Sequence, residues 1–562
     1  MSKIPLVIGI TGHRNIPAEY IAPLREKVRE LLLRLQADYP HSEIIVLSAL
    51  AKGADTLCAE VALETGCTLI ASLPMEAEEY RKDFAGTDRN VFNRLAGSAK
   101  CCFPVPLTDA KPNDAPRDYF YRQLGRYLTS HCHLLLALWD GDERVILPGG
   151  TADVVRMALD GFSGNAKDIL DKAAVLHPVL QLVTPKNDAN LPENPLAFRF
   201  MQPSRETGYV SGFEGLPVFE DIEKFNLDVS ANATYIKQNE AACISGCLGD
   251  SALPEDNTSQ SLAGAFAASD ALALLYQRKR NTVIGSLSFV ALGLVLSFLL
   301  YDEAESVTAL VVYGGLLVAA WLIYRRVEKG KWHERYLLYR ALAETLRVQL
   351  YMRVAGMEFQ PEIPAWRRER TLTFIQGATL PFAVTLPQFS GNRQSVEAYW
   401  IEGQLAYHQS SISKKGGRHR LNIAMTQWLM LVAVAFYLVV LACETAFPNV
   451  VMDAVIIDLS KTPLPAKALL TVSGLFKIIL GTLFAGIAFL SNYYGKQALP
   501  EQMDNDDKMQ RLFSLAKQEI TGSNGKPASK QLVLRSLASA HVEETLSWYI
   551  YNSNNAPELL IG

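Results

Sequence analysis

The sequence predicts two halves of different class. An α/β doubly wound parallel sheet, Rossmann-like, is followed by an all-α membrane domain with four transmembrane helices. Three observations predict this. Strand-length apolar runs alternate with helix-length segments over about the first 185 residues. Four apolar stretches of about twenty residues, the length that crosses a bilayer core, follow after residue 280. Basic residues cluster on one side of those stretches. At 562 residues the chain also exceeds what one ordinary core accommodates.

In chain order, the first strand is Leu6–Ile10, followed by a helix over about Ile21–Asp38. Glu43–Leu47 is the second strand, Gly53–Glu64 the second helix and Thr68–Ser72 the third strand. After a mixed stretch come a helix around Tyr119–Ser130, a strand His133–Leu138, a helix Thr151–Leu159 and a strand Pro178–Val183. The N-terminus enters directly into a strand and lacks the apolar core of a signal peptide, so this domain, residues 1–190, is expected in the cytoplasm. Residues 191–261, rich in Asn, Pro and Ser at both ends, read as a connector with some helix.

The apolar stretches run from Thr282 to about Tyr301, Val307 to about Tyr324, about Ala424 to Cys443 and about Leu475 to Tyr494. One alone would also suit a buried globular helix; four in pairs do not. Arg278, Lys279 and Arg280 precede the first, and Arg325, Arg326, Lys329 and Lys331 follow the second. Lys414, Lys415, Arg418 and Arg420 precede the third, and Lys496 follows the fourth. The loop between the first two is acidic, with Asp302, Glu303 and Glu305. The positive-inside rule then puts both termini in the cytoplasm and makes the chain a multi-pass inner-membrane protein. Lys461 and Lys467, in the loop between the third and fourth spans, weaken the bias there. Trp321, Tyr324, Tyr493 and Tyr494 sit near span ends as interfacial aromatics do. Lys477 either snorkels to the interface or faces a pore.

The region repeats one order of elements: polar helix, basic turn, two spans, helix. Glu344-Thr345-Leu346 follows the second span, and Glu544-Thr545-Leu546 follows the fourth. Tyr336, Tyr339, Ala343, Leu346 and Leu350 recur at helical spacing and mark one packing face. With Tyr339-Arg340-Ala341-x-Ala343-Glu344-x-Leu346-Arg347 and Trp400-Ile401-x-x-Gln404-Leu405-x-Tyr407, the layout resembles the SLATT domain, a two-transmembrane effector module of prokaryotic defence systems. The resemblance covers residues 262–356 and 397–562, separated by a Pro-rich linker at 357–396. It implies a homo-oligomer that forms a pore or disrupts the bilayer.

In a doubly wound sheet, ligands bind beyond the carboxyl ends of the strands. Three loops fall there: Thr11-Gly12-His13-Arg14, Ser48-Ala49-Leu50-Ala51-Lys52-Gly53-Ala54-Asp55, and Trp139-Asp140-Gly141 leading to Gly149-Gly150-Thr151-Ala152-Asp153. A Gly-containing turn that opens a helix brings backbone amides and the helix dipole to a phosphate. Together the three resemble the SLOG superfamily, which includes the Lonely Guy phosphoribohydrolases, the DNA-processing protein A fold and the sensor domains of several defence systems. The resemblance implies that Gly12, Gly53, Gly149, Gly150 and Thr151 hold phosphate, that Arg14 and Lys52 offset its charge, and that Asp55, Asp140 or Asp153 meets ribose or base. His13 is either a ligand or a packing residue, Trp139 either a stacking surface or core, and Asp55 either a ligand or a helix N-terminal charge.

One departure separates sensing from catalysis. The Lonely Guy pattern places a glutamate shortly after Gly-Gly-x-Gly-Thr, whereas Gly149-Gly150-Thr151 lacks the third glycine and is followed by Asp153. No catalytic residue is therefore expected. The two resemblances imply a membrane effector of an antiphage system, gated by a nucleotide-derived messenger such as a cyclic oligonucleotide or an ADP-ribose derivative. The alternative is a membrane-tethered nucleotide or nucleotide-sugar hydrolase. A net charge of -4 gives no case for direct DNA or RNA binding. The eight scattered cysteines read as reduced thiols, with no zinc spacing and no metal expected.

Overall fold

A computed structural model of the chain describes residues 3–107, 115–144, 146–161, 177–186, 191–203, 207–210, 215–249, 253–304, 306–361, 370–385, 396–446, 453–458, 469–495, 499–522 and 527–554. The chain divides into two compact units. The first comprises Met1–Ala271, Ala341–Arg393 and Ala538–Leu546; the second comprises Leu272–Arg340, Gln394–Leu537 and Ser547–Gly562.

The first unit alternates as expected: β1 Leu6–Gly12, α1 Ala18–Asp38, β2 Ile44–Ser48, α2 Ala54–Glu64 and β3 Thr68–Leu73. α3 Ala77–Tyr80 and α4 Gly86–Ser98 lead to β4 Cys101–Pro104, then α5 Arg117–Ser130, β5 Leu134–Trp139, α6 Thr151–Asp160 and β6 Val179–Val183. β7 Phe198–Met201, β8 Thr207–Val210, α7 Pro217–Ala231 and α8 Ala233–Leu248 follow. One eight-stranded sheet results, ordered β4-β3-β2-β1-β5-β6-β7-β8. β1 to β6 are parallel, and β7 and β8 add antiparallel. The inner strands are buried along their length, as a sheet covered on both faces requires.

Residues 191–261, expected to connect, thus supply two strands and two helices. α7 is tied to the sheet by Asn226, whose Oδ1 accepts from Ile4 N at 2.9 Å and whose Nδ2 donates to Ile4 O at 2.8 Å. Glu223 accepts from His41 N at 3.0 Å and from the Ser42 hydroxyl at 2.6 Å.

The stretch after the second span, expected as a linker, also belongs to this unit. Residues 362–369 and 386–395 lie outside the described ones, but α12, Arg370–Thr379, docks on the sheet. His133, fully buried at the start of β5, accepts from Val7 N through Nδ1 (2.9 Å) and donates from Nε2 to Gly377 O (2.8 Å). Tyr127 OH donates to Val384 O at 2.7 Å, and Leu380 and Val384 share one apolar core with Val7, Leu135 and Ala137. Burial lowers the His133 pKa from 6.5 to about 4, so the ring is neutral and each nitrogen keeps a single role.

Three long helices contribute to this unit: α9 Asn257–Ala304 starts in it, α11 Trp332–Val354 ends in it, and α16 Pro527–Asn554 gives it Ala538–Leu546. The Arg353 guanidinium is buried. It bonds Ser259 Oγ at 2.8 Å, Asp256 Oδ1 at 2.8 Å and Thr385 O at 2.7 Å, which joins the start of α9 to the end of α11. The two Glu-Thr-Leu copies share one local geometry. Thr345 and Thr545 are buried and donate to the carbonyl four residues back, Ala341 O at 2.8 Å and His541 O at 3.0 Å.

The second unit is helical. α10 is Val307–Gly330, α13 Gly403–Ala446, α14 Val472–Gly495 and α15 Leu499–Gly522. Four helical stretches, Asn257–Glu303, Val307–Val354, Glu397–Cys443 and Val472–Ser491, are long and apolar enough to cross a membrane. No more than 11 % of any apolar window is buried, which separates them from core helices. Phe289, Val311, Trp428 and Leu431 are all exposed. Lys477 is paired: its Nζ lies 3.1 Å from the Glu303 carboxylate. A short hairpin of β9 Val455–Asp458 and β10 Leu469–Thr471 precedes α14; Lys461, Lys467, Lys496 and Glu305 lie outside the described residues. α13 and α15 are joined by the buried Asp506, which accepts from His408 Nδ1 at 3.0 Å, Ser411 Oγ at 2.8 Å and Lys415 Nζ at 2.7 Å. Burial alone would raise the Asp506 pKa; these partners hold it below the ordinary value.

Candidate functional site at the carboxyl edge of the sheet

β1 is flanked by β2 and β5, and the winding reverses between β1 and β5. A crevice for ligands opens at such a switch point, between the loops that leave those two strands. The structure brings the three sequence-predicted loops together there. His13 N donates to Leu138 O at 3.0 Å, and Ala54 N donates to His13 O at 3.0 Å. The His13 ring bridges the loops after β1 and β5: its Nε2 lies 3.0 Å from the Asp140 amide nitrogen and 3.3 Å from Asp140 Oδ1. Burial would raise the Asp140 pKa, but the bonds from His13 and the Asp142 amide bring it below the ordinary value.

Close approach explains the glycines. A Cβ on Gly12 would lie 2.4 Å from Ala54 Cβ and 2.7 Å from Leu138 O. Gly53 has φ +92°, and a Cβ there would lie 2.4 Å from His13 O. Gly149 has φ +71°, and its Cβ would lie 2.6 Å from the Tyr121 backbone. Gly150 caps α6 with ordinary φ, and a Cβ there would lie 3.1 Å from Leu147 O.

The two helix N-termini differ. In α2 the amides are used internally: Ala54 N by His13 O and Thr56 N by Ala51 O. In α6 the Gly149 amide is held by Asp153 Oδ2 at 2.9 Å and Gly150 N by Leu147 O. The amides of Thr151, Ala152 and Asp153 have no partner among the described residues, so the dipole and free donors for a phosphate sit at α6. Arg14 faces the same region, exposed, with its guanidinium 5.0 Å from the Tyr121 ring centre. Tyr121 thus joins the Arg14 loop to the Gly149 turn. Its hydroxyl bonds Asp83, which also takes Arg117 at 2.5 Å. Sequence reading missed Tyr121; its place on the helix at 119–130 was visible, its neighbours were not.

Other predicted residues serve the frame. Trp139 is 3 % exposed and lies in the apolar core, so it offers no stacking surface. Ser48 is fully buried and accepts from Leu50 N at 3.1 Å, bracing the loop after β2. Thr11 and Asp153 are buried, and Asp153 also lies 3.6 Å from Arg122 Nε. Lys52 is exposed and paired with Asp88 at 2.9 Å. Asp55 is 5 % exposed, and its Oδ1 has no hydrogen-bond partner. Burial pushes its carboxyl up from 3.8 to about 7, against the pull of Arg14 and of the Ala49 and Asp55 amides. Among the described residues no three His, Cys, Asp or Glu side chains are placed to hold a metal.

The Asp55 shift has a sign that can be measured. An acid whose folded pKa is raised binds its proton more tightly when folded, so stability falls as pH rises from 3.8 to about 7. Asp55→Asn keeps the shape without the charge. It is expected to stabilise the protein by up to about 4 kcal/mol near pH 8 and by almost nothing near pH 4. Melting curves of both proteins across that range check this; a difference that does not depend on pH would contradict it.

No protein-family model matches the chain, and no curated protein matches it.

Proposed function

We propose that the chain is a membrane effector of a prokaryotic antiphage system, gated by a nucleotide-derived messenger that binds at the carboxyl edge of the sheet. The messenger is a cyclic oligonucleotide or an ADP-ribose derivative. Its phosphate sits on the free amides of α6, with Arg14 offsetting the charge and Thr151 adding a hydroxyl. Binding biases a homo-oligomer in the inner membrane, termini in the cytoplasm, towards a state that opens a pore or disrupts the bilayer.

The observation that carries this reading is continuity. α9 begins at Asn257 in the same compact unit as the sheet and runs without a break to Ala304, through the first apolar span. The 48 residues of this helix carry the chain from the unit of the sheet into the first apolar stretch. Arg353 fastens those first turns to the end of α11. The position of Asp153, closed onto Gly149 and Arg122, supports binding over hydrolysis, because the carboxylate nearest the glutamate of the Lonely Guy pattern is engaged.

The test uses the full chain, since buried partners of the sheet come from residues 217–231 and 370–385. Its melting temperature is screened against cyclic oligonucleotides, ADP-ribose derivatives and mononucleotides. Arg14→Glu is expected to remove the response to the active ligand, a loss of more than about tenfold in affinity, while shifting the ligand-free melting point by no more than a few degrees. An undiminished response in that variant would place the ligand elsewhere.

A further inference from the structure

We infer that an anion at the carboxyl edge of the sheet binds together with a proton, which Asp55 takes up, so that the site answers to pH as well as to its ligand. The inference rests on the phosphate site proposed above and concerns its regulation.

The geometry is that of an acid kept out of water. Asp55 is 5 % exposed, and its Oδ1 is buried with no hydrogen-bond partner among the described residues. A carboxylate so placed is costly unless donors or a cation meet it. Its donors are the amides of Ala49 and of Asp55 itself. Cys58, one turn further along α2, and Tyr80, on α3, are both buried and feel the same carboxyl. Burial and Asp55 together raise their pKa values, so the thiol and the phenol stay neutral. The cation is Arg14, which attracts the carboxylate from the loop after β1. The start of α2 presses on that loop: a Cβ on Gly53 would lie 2.6 Å from Arg14 O, and Ala54 N donates to His13 O at 3.0 Å.

Arg14 is therefore shared. It attracts the buried carboxyl and, being exposed at the sheet's edge, an incoming phosphate. With Arg14 beside it, Asp55 titrates at about 7. A bound anion draws on the same guanidinium and adds a negative charge of its own. Both effects make ionised Asp55 less favourable, so its affinity for a proton rises in the complex. Where free Asp55 is ionised, binding then takes up as much as one proton, and affinity falls by up to about tenfold per pH unit. Where Asp55 is already neutral, no proton moves and affinity is level. The site is thus tightest on the acid side of the Asp55 titration.

The experiment uses the full chain in detergent micelles and two probes, ADP-ribose and cyclic di-adenosine monophosphate, whose linked phosphates keep their charge across the neutral range. Calorimetry is expected to give binding up to about tenfold weaker near pH 8 than near pH 6 for a probe that binds. A second reading on the unmodified chain needs no variant. Near pH 8, heats compared in buffers of different ionisation enthalpy should report uptake of up to about one proton per ligand bound. Asp55→Asn should bind equally at both pH values, as tightly as the original chain does on the acid side. If that variant weakens with pH as the original does, the proton goes to another group, such as the His13 ring, and the role of Asp55 is overturned. Binding by the original chain with no pH dependence and no proton uptake would overturn the inference while leaving the phosphate site standing. If neither probe binds near pH 6, the phosphate site itself fails and takes this inference with it.

Discussion

His133→Leu is expected to destabilise the full chain by about 2–5 kcal/mol, a fall of roughly 5–15 °C in melting temperature. The side chain is fully buried, and both ring nitrogens are used, one by the Val7 amide and one by the Gly377 carbonyl. Leucine fills a similar volume but leaves a buried donor and a buried acceptor without partners, each at about 1–3 kcal/mol. Gly377 compounds the effect, because a Cβ there would lie 2.4 Å from Val218, so α12 sits too close for water to enter and replace the imidazole. The native protein should also weaken as pH falls from 6.5 to about 4, since the unfolded chain takes up a proton there that the folded ring refuses. The leucine variant should lose that part of the acid dependence. Thermal melts across this range in detergent micelles check both parts; an unchanged melting point would mean that α12 does not depend on this contact.

Gly53→Val should be of similar size and should act on the site itself. A side chain at φ +92° is strained, and its first carbon would meet the His13 and Arg14 carbonyls at 2.4 and 2.6 Å. Backbone strain and overpacking together cost roughly 3–5 kcal/mol. The loop after β2 must move off the loop after β1, which breaks the bond from Ala54 N to His13 O and shifts Arg14. Gly66→Val separates the two contributions. Gly66 also has positive φ, +78°, but nothing lies within 4 Å, so only the conformational cost remains, about 1–2 kcal/mol. Equal melting points for the two variants would show that the contact between the loops is not tight.

The alternation of strands and helices over residues 6–183 was legible because parallel strands buried on both faces are continuous apolar runs. The four spans were legible for the same reason at greater length. What escaped notice is short or non-local. β4 is four residues long and ends at Pro104, and β7 and β8 lie in a polar, Pro-containing stretch where propensity says little. The docking of α12 rests on a partner 244 residues from His133, which no periodicity reveals. In the site, Gly12, Gly53 and Gly149 were recognisable by residue type, though what crowds them is backbone and Cβ atoms of neighbouring loops and helices. Trp139 and Asp55 were ambiguous for a physical reason: a residue at a strand end or a helix start points inward or outward according to register, and the structure buries both.

The central claim, that a ligand on the sheet's edge acts on the membrane, is tested most directly by dye release from liposomes carrying the full chain. The ligand that raises the melting temperature would be added, then recovered and analysed by chromatography. The account predicts rapid release with the ligand recovered intact, and no release from the Arg14→Glu protein. Binding without release, or conversion of the ligand to product while the liposomes stay sealed, would contradict it and favour the hydrolase, with the spans as its tether.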